Sequence, residues 1–462
     1  MKILFVLDYV DFPNAVNPQL AARLAGQLVN MGHSASLLRL WDGCTPPPPP
    51  PEGVQVQDLA FADEHQMNLD LENGRKIGSP APVRVARLLT HPAAAAAAFR
   101  QLILHKNRRQ TACTRAIERL CRGAHYDAVV AVCAPYHTAW ALADADIPAK
   151  KATWQMDPYS ANREYTPYGG AQKELAMYAR IDRAFITKLM EPDYESGPLA
   201  PAKPKTQVLE FPCLCPLPPA PAQSHTGLQC VFAGSLHPEI RQPYALLSLF
   251  EKLADVPGLQ LVMLGGGWEN FPADTPDACR KALGHRLTIA GQVPPQQARS
   301  AMAGADVLIN LGNTVTNQLP SKIFEYFSSG KPVLNLCANP SDPALRYFAR
   351  YPLALTLFAN DASAPEKLRC WLAETAGKRL DFAQSAALFA ENTPAAVAKE
   401  LLRGLQEISE RNCRNHESFM ACKPHPARAR QGAGLWQQPC GRLADRPARA
   451  AKAQRFAGDL LH

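Results

Sequence analysis

Lys322 and Glu325 stand three residues apart in the stretch NTVTNQLPSKIFEYFSSGKPVL, residues 313–334. The middle of this stretch predicts a short helix beginning near Pro320, because proline suits a first helical position where its missing N–H has no helical partner. Lys322 then sits in the first turn, at the positive end of the helix dipole, where a cation is unfavourable by about 0.3–1 kcal/mol. A helix N-terminus with its free N–H groups is an anion site. A bound phosphate would turn the misplaced lysine into its partner. Glu325 follows on nearly the same face, among Ile323, Phe324, Tyr326 and Phe327. An ionised carboxylate only accepts hydrogen bonds, and the two hydroxyls of a ribose would supply them. The plainer alternative is a surface lysine paired with Glu325 within the helix, worth about 0.2–0.5 kcal/mol. On the pair alone the two readings stand level. The anion reading gains from Asn313, Thr314, Thr316, Asn317 and Gln318, a polar loop at the carboxyl end of the apolar run DVLINLGN.

Other short patterns carry less. SSGKP lacks the G-x-x-x-x-G-K-[ST] spacing of a phosphate loop, and a proline follows its lysine. Gly330 there reads as a helix end with Lys331 near the negative terminus. Asp144 and Asp146 in DAD close a helical stretch and read as a solvated helix end. The glycines 265–267 match no dinucleotide fingerprint and predict a tight turn with close backbone approach.

These residues must be positioned by strands and helices that alternate along the chain. MKILFVL is a continuous apolar run, as expected of a buried parallel strand. After the loop DYVDFPNAVN, Leu20, Leu24, Leu28 and Met31 recur at helical spacing until Gly32, and SASLLRL reads as the next strand. The prolines Pro46–Pro51 read as a polyproline II linker or loop. Residues 82–122 read as mostly helical, and strands resume at YDAVVAV, KATWQM, RAFITK and QVLEF. The proline-rich FPCLCPLPPAPAQSHTG reads as a domain linker. The rhythm then repeats through LQCVFAGS, LQLVMLGGG, RLTIAG, DVLINLGN, KPVLNLC and LALTLF. The predicted architecture is α/β, two Rossmann-like doubly wound domains facing a cleft, spanning 1–215 and 226–363. Residues 364–410 read as helices packing across the domains, and 411–462 as a disordered or accessory basic tail. Ligands of such sheets sit outside the carboxyl ends of the strands.

The chain of 462 residues is long enough for two or three domains. Its net charge of +8 is uneven, since 411–462 hold ten Lys/Arg against three Asp/Glu and leave +1 for the rest. A nearly neutral body speaks against nucleic-acid binding. The 13 cysteines show no C-x-x-C pair, only Cys213 and Cys215 as C-x-C, which reads as reduced thiols in a cytosolic protein. The apolar N-terminal run is too short for a signal peptide and is interrupted by Asp8 and Asp11. No stretch has the length of a membrane span.

NQLPSKIFEYFSSGKPVL resembles the nucleotide-binding signature of family 4 glycosyltransferases, which have the GT-B fold. VFAGSLHPEIRQP, LVMLGGG and RLTIAGQVPPQQARSAMAGADVLINLGN are also similar, in the family's order and spacing. The resemblance is architectural over about residues 1–410 and specific mainly over 228–337. It implies transfer of a sugar from a nucleotide-sugar donor, usually with retention and without an essential metal. Glu325 would be the second glutamate of the E-x7-E motif and would hold the ribose. The first falls at Asn317, whose amide can bond sugar hydroxyls but supplies no charge. Ser235 stands where the family often has an arginine, so Arg241 is the available cation beside Lys322. An arginine fork suits a diphosphate. Val293 would lie near the base, and Asn313, Gln318 and Ser321 would line the nucleotide-sugar site. In the first half, APYHTAW and WQMDPYSANREY follow strands. Asp157 stands where relatives carry a His or Asp near the reacting sugar, and His137, Asn14 and Asn17 would contact sugar, phosphate or acceptor.

The expected catalysis is electrostatic, with Arg241, Lys322 and helix-terminal amides stabilising the departing diphosphate. No metal ion or other cofactor is expected. The acceptor implied is a glycan or a lipid-linked glycan in cell-surface polysaccharide or glycoconjugate synthesis. An epimerase of the same fold and a non-catalytic sugar-nucleotide-binding subunit are the alternatives. Residues 82–122 carry nine Lys/Arg against one acid among leucines. Such a segment can lie on an anionic membrane through Arg84, Arg87, Arg108 and Arg109, and it can equally be a solvated face.

Overall fold

The computed structural model describes residues 1–8, 10, 15–42, 46–61, 92, 95–96, 106–160, 169–222, 224–314 and 319–421. Two parallel sheets organise them. The first contains β1 (Lys2–Leu7), β2 (Ser34–Trp41), β3 (Gln55–Ala60), β4 (Ala128–Cys133), β5 (Lys150–Gln155), β6 (Arg183–Ile186) and β7 (Thr206–Val208). Its order is β3-β2-β1-β4-β5-β6-β7. The second contains β8 (Leu228–Ala233), β9 (Leu259–Leu264), β10 (Leu287–Gly291), β11 (Val307–Leu311), β12 (Val333–Cys337) and β13 (Ala354–Phe358). Its order is β10-β9-β8-β11-β12-β13.

In both sheets the chain starts in the middle, builds outward to one edge, then returns beside the first strand. Ile3 pairs with Ala128 and Val6 with Ala131 across β1 and β4. Val307 pairs with Cys230 and Ile309 with Phe232 across β11 and β8. At these two pairs the strand order reverses, opening a crevice at the carboxyl ends. The central strands are buried, β1 from Ile3 onward and β4 and β11 along their length, which explains their apolar runs.

The apolar runs predicted as strands are all present. β3 was not predicted, because QVQDLA is an exposed edge strand without an apolar run. It is held by Arg39, whose Nε and Nη2 donate to the Asp58 carboxylate at 2.7 and 2.9 Å. The Arg39 Nη1 also donates to the Pro48 carbonyl at 2.6 Å, so the proline run is a loop tied to the sheet. The cysteines among the described residues are free. Cys213 and Cys215 form no disulfide, and burial pushes the Cys213 thiol up to about 12, so Cys213 is no thiolate at neutral pH.

Three boundaries differ from expectation. The first helix spans Val16–Asn30, so Asn17 lies in its first turn and not in the preceding loop. Helices Ala364–Thr375 and Phe382–Leu388 do not cross between domains; Leu368, Trp371 and Leu372 join the core of the second sheet. Among the described residues after 363, the helix that returns to the first domain is Pro394–Ala421, and it runs past 410, where the apolar spacing lapses. Its Val397, Ala398, Leu401, Leu402, Leu405 and Ile408 pack with Phe5, Leu24, Trp154 and Phe185 in the first domain. Residues 422–462 lie outside the described residues.

Candidate functional site

The carboxyl ends of β8, β9 and β11 build the crevice of the second domain. The glycines after β9 press against the turn after β8. Gly265 has φ 126°, and a Cβ there would stand 2.0 Å from the Gly234 carbonyl oxygen. Gly267 has φ 98°, and a Cβ there would meet the Leu236 carbonyl oxygen at the same distance. The Gly234 and Leu236 N–H groups donate across to Leu264 and Gly266 at 2.9 and 3.0 Å. The sequence predicts this close approach, and here it fixes the turn that carries Ser235.

Arg241 folds back over that turn. Its Nη1 donates to the Ser235 carbonyl at 3.2 Å and its Nη2 to the Asn313 Oδ1 at 2.8 Å. Its Nε is buried and has no hydrogen-bond partner among the described residues. Burial is the main influence on this guanidinium and disfavours its charge, so an anion placed against it would be stabilised strongly. Asn313 is itself buried. The Asp342 carboxylate accepts from its backbone N–H and, at 2.8 Å, from that of Ala344. Burial raises the Asp342 carboxyl. Gly312 makes room for it, since a Cβ there would lie 2.5 Å from the Asp342 Oδ2. Thr314 completes the loop, its N–H donating to the Ile240 carbonyl at 2.9 Å.

Lys322 begins its helix, two residues later than expected, with Ser321 before it and Gly330 ending it at φ 70°. Its ammonium stands 2.9 Å from the Glu325 carboxylate, so these two residues pair with each other. Glu325 borders a cavity of about 60 Å³ that also touches Leu217, Pro218, Arg299, Met302 and Ser329. Tyr326, the next residue, is buried and donates its hydroxyl to the Ala233 carbonyl at 3.1 Å, which joins this helix to the end of β8. Val293 is half-buried against the same face of the second sheet. Lys331 serves another helix than the one it follows. It is buried, and its ammonium donates to the Ala303 and Ala305 carbonyls at the end of helix Pro295–Gly304. Burial pushes it down to about 8.

In the first domain the crevice lies between β1 and β4. Asn17 donates to the Cys133 carbonyl at 3.3 Å and to the Asp157 Oδ2 at 3.2 Å. This brings together two of the predicted residues, one from a helix first turn and one from the loop after β5. His137 opens the helix His137–Asp144 after β4, and its Nε2 contacts the Asp8 carboxylate. Asp8, at the end of β1, also accepts from Arg109, whose Nη1 reaches Asp42 at 2.8 Å. Asp8, Asp42 and Arg109 are buried. Arg109 therefore does not belong to an exposed membrane-binding face, as the charge pattern suggested. The cluster is hard to see in the sequence, because its members lie just after β1, just after β2 and on a helix about a hundred residues on. The one available signal was an aspartate closing a buried strand. Asn14, Asn317, Gln318, Arg84 and Arg87 lie outside the described residues. Among the described residues no group of three or more His, Cys, Asp or Glu is placed to hold a metal ion.

Residues 241–403 match the protein-family model described as glycosyl transferase-like, a span that opens on Arg241 and contains Asn313, Lys322 and Glu325. No curated protein sequence matches the chain significantly. Among solved structures it is similar to HepE from Anabaena in complex with UDP, at 12% identity and TM-score 0.53, covering 88% of this chain and 100% of that one. It is similar to a glycosyltransferase from Rickettsia africae at 11% identity and TM-score 0.54, covering 88% and 98%. Sucrose-phosphate synthase from Thermosynechococcus elongatus is similar at 12% identity and TM-score 0.50, covering 92% and 100%. At such identities the likeness is one of fold. The chain has the GT-B fold, and its residues 241–403 are similar to the glycosyl transferase-like family.

Proposed function

We propose that the protein is a glycosyltransferase of the family 4 type. It would transfer a sugar from a nucleotide-sugar donor to a glycan or lipid-linked acceptor, with retention, in cell-surface polysaccharide or glycoconjugate synthesis. The observation that carries this reading is the Arg241 guanidinium. It is buried, oriented by Ser235 and Asn313, and left with an unpartnered Nε at the point where the strand order reverses. A donor diphosphate would supply the missing acceptor and receive stabilisation as its charge develops on leaving. The HepE structure holds UDP on this fold, which makes uridine nucleotides the first to try. No metal is required in this scheme, because the guanidinium and backbone N–H groups meet the charge. A panel of UDP-, GDP- and ADP-sugars, scored by thermal shift and by release of nucleoside diphosphate, tests it. A saturating ligand at a hundredfold its Kd adds about 2.7 kcal/mol of stability. No shift and no release across the panel would refute the reading, and conversion of a donor sugar to its epimer would replace transfer with epimerisation.

Glu325 would take the ribose hydroxyls, exchanging its bond to Lys322 for them. Glu325→Gln is expected to weaken nucleoside diphosphate binding by roughly ten- to a hundredfold, the worth of hydrogen bonds to a charged group. The half-exposed position of the pair should leave thermal unfolding nearly unchanged. Equal affinities by calorimetry would remove Glu325 from the site.

We also propose peripheral attachment at the cytoplasmic face of a membrane. Arg108, Arg115, Arg119 and Arg122 are exposed along the helix Lys106–Gly123, and these would meet anionic lipid in place of Arg109. No helix among the described residues is long and apolar enough to cross a membrane. Co-sedimentation of the full chain with anionic vesicles is expected to exceed that with neutral ones. It should fall when Arg115, Arg119 and Arg122 become Ser, each such contact being worth about 1 kcal/mol. Equal sedimentation with both vesicle types would leave the arginines as a solvated face.

A further inference from the structure

Trp140, Tyr159 and Tyr136 gather at the carboxyl end of the first sheet. The Trp140 and Tyr159 ring centroids lie 4.9 Å apart, edge to face at 79°. Tyr136 lies 5.0 Å from Tyr159 and 5.9 Å from Trp140. Tyr136 is the buried base of the group, and its hydroxyl donates to the Asp157 carbonyl at 2.6 Å. Trp140 and Tyr159 stand half-buried above it. The Trp140 indole N–H makes no hydrogen bond among the described residues and is not sealed from solvent.

The surroundings of these rings are polar and ordered. Within the helix His137–Asp144, residues Thr138, Ala139, Ala141, Leu142 and Ala143 are buried. Trp140 follows His137 by one turn, which puts the two on one face. Tyr159 follows Asp157 by two residues in a turn that is held from below. The Ser160 N–H and hydroxyl both donate to the buried Glu174 carboxylate, at 3.2 and 2.6 Å. That carboxylate also accepts from the Tyr178 and Tyr194 hydroxyls at 3.0 and 3.2 Å. An aromatic wall thus stands on a rigid polar footing, with the indole N–H at its edge, His137 one turn back on the same helix and Asp157 in the same turn as Tyr159.

We propose that Trp140 offers the face on which a pyranose ring of the acceptor glycan lies, with Tyr159, set across it at 79°, as the wall that fixes the edge of that ring. A pyranose presents one face of C–H bonds and a rim of hydroxyls. The C–H face would pack on the electron-rich aromatic face, and a ring with a polar edge suits a ligand that is apolar on one side and wet on the other. The Asp157 carboxylate accepts from a sugar hydroxyl, and the Trp140 N–H donates to one. The word acceptor rests on the transferase reading, in which the donor phosphates belong to Arg241 in the second domain. Binding of the sugar ring does not.

The full-length protein is titrated with methyl glycosides of glucose, galactose, mannose and N-acetylglucosamine, and with maltotriose and cellotriose, observed by saturation-transfer NMR. The platform predicts saturation of the C–H protons of one ring face for at least one of these. Trp140→Leu and Tyr159→Leu should each weaken that binding roughly tenfold or more. Trp140→Phe should restore most of it, and Trp268→Leu, on the second domain, should leave it unchanged. Circular dichroism excludes a folding defect as the cause. No saturation from any glycoside, or saturation unaltered in Trp140→Leu, would overturn the assignment. Because the readout needs no donor, failure of sugar transfer leaves this test standing, and transfer that survives Trp140→Leu unchanged removes the platform but not the transferase.

Discussion

Replacing Arg109 by methionine is expected to destabilise the protein by about 3–5 kcal/mol, the usual loss when one member of a buried ionic group is removed. Its guanidinium bonds both Asp8 and Asp42, and the three side chains are nearly or wholly inaccessible. It also lies 4.7 Å from the Phe61 ring centroid, so methionine replaces its packing but not its charge. Two buried carboxylates would then lose their shared guanidinium, and their desolvation would no longer be offset. The ends of β1 and β2 and the helix Lys106–Gly123 should loosen together. Urea unfolding measures the loss. Adding Asp42→Asn to the Arg109→Met background should recover part of it, as expected of residues that act through one another. A loss below about 1 kcal/mol would show that the cluster contributes little to the fold.

Arg241→Ala is expected to have the opposite profile, a large loss of turnover with little loss of stability. Removing a preorganised charge that meets the leaving group typically lowers the rate by roughly a hundred- to a thousandfold. Stability should hold because the arginine is a buried cation whose Nε lacks a partner, an arrangement that costs folding energy. Arg241→Lys keeps the charge but not the fork, and should recover only part of the rate. The measurement is nucleoside diphosphate release at saturating donor, beside thermal unfolding of both variants. An unchanged rate in Arg241→Ala would place the diphosphate elsewhere in the cleft. An unstable but active variant would make the arginine a structural residue.

The sheets were legible in the sequence because burial on both faces leaves a plain mark, an unbroken apolar run. Where burial is one-sided the mark fades. β3 is polar at the edge, and the returning helix continues to Ala421 after its apolar spacing ends. The second-domain crevice was legible as a set of types, namely Ser235, Arg241 and Asn313 beside a glycine turn. Their hydrogen bonds were not, since Arg241 reaches Asn313 across 72 positions. Lys322 shows the limit of local reasoning. Its place in a helix first turn signals an anion equally well from a bound phosphate or from Glu325 one turn on, and the structure pairs it with Glu325. Arg109 misled for a related reason. Charge composition counts a cation without regard to the carboxylates that tertiary folding brings to it.

The helix Pro394–Ala421 gives the chain an order of assembly. Residues 213–389 contain every strand of the second sheet, the helices that cover it and the buried residues Leu214 and Phe389, so that core is complete within one continuous segment. The first core is not. Its strands end at Val208, yet Leu401, Leu405 and Ile408 fill the face beneath β1, β5 and β6. During synthesis from the N-terminus, at about 5–20 residues per second, the half made first waits with an apolar face uncovered while some two hundred further residues emerge. The half made second closes first. Domain order along the gene and domain order in folding would thus be reversed, with the helix Pro394–Ala421 as the latch that ends the exposure.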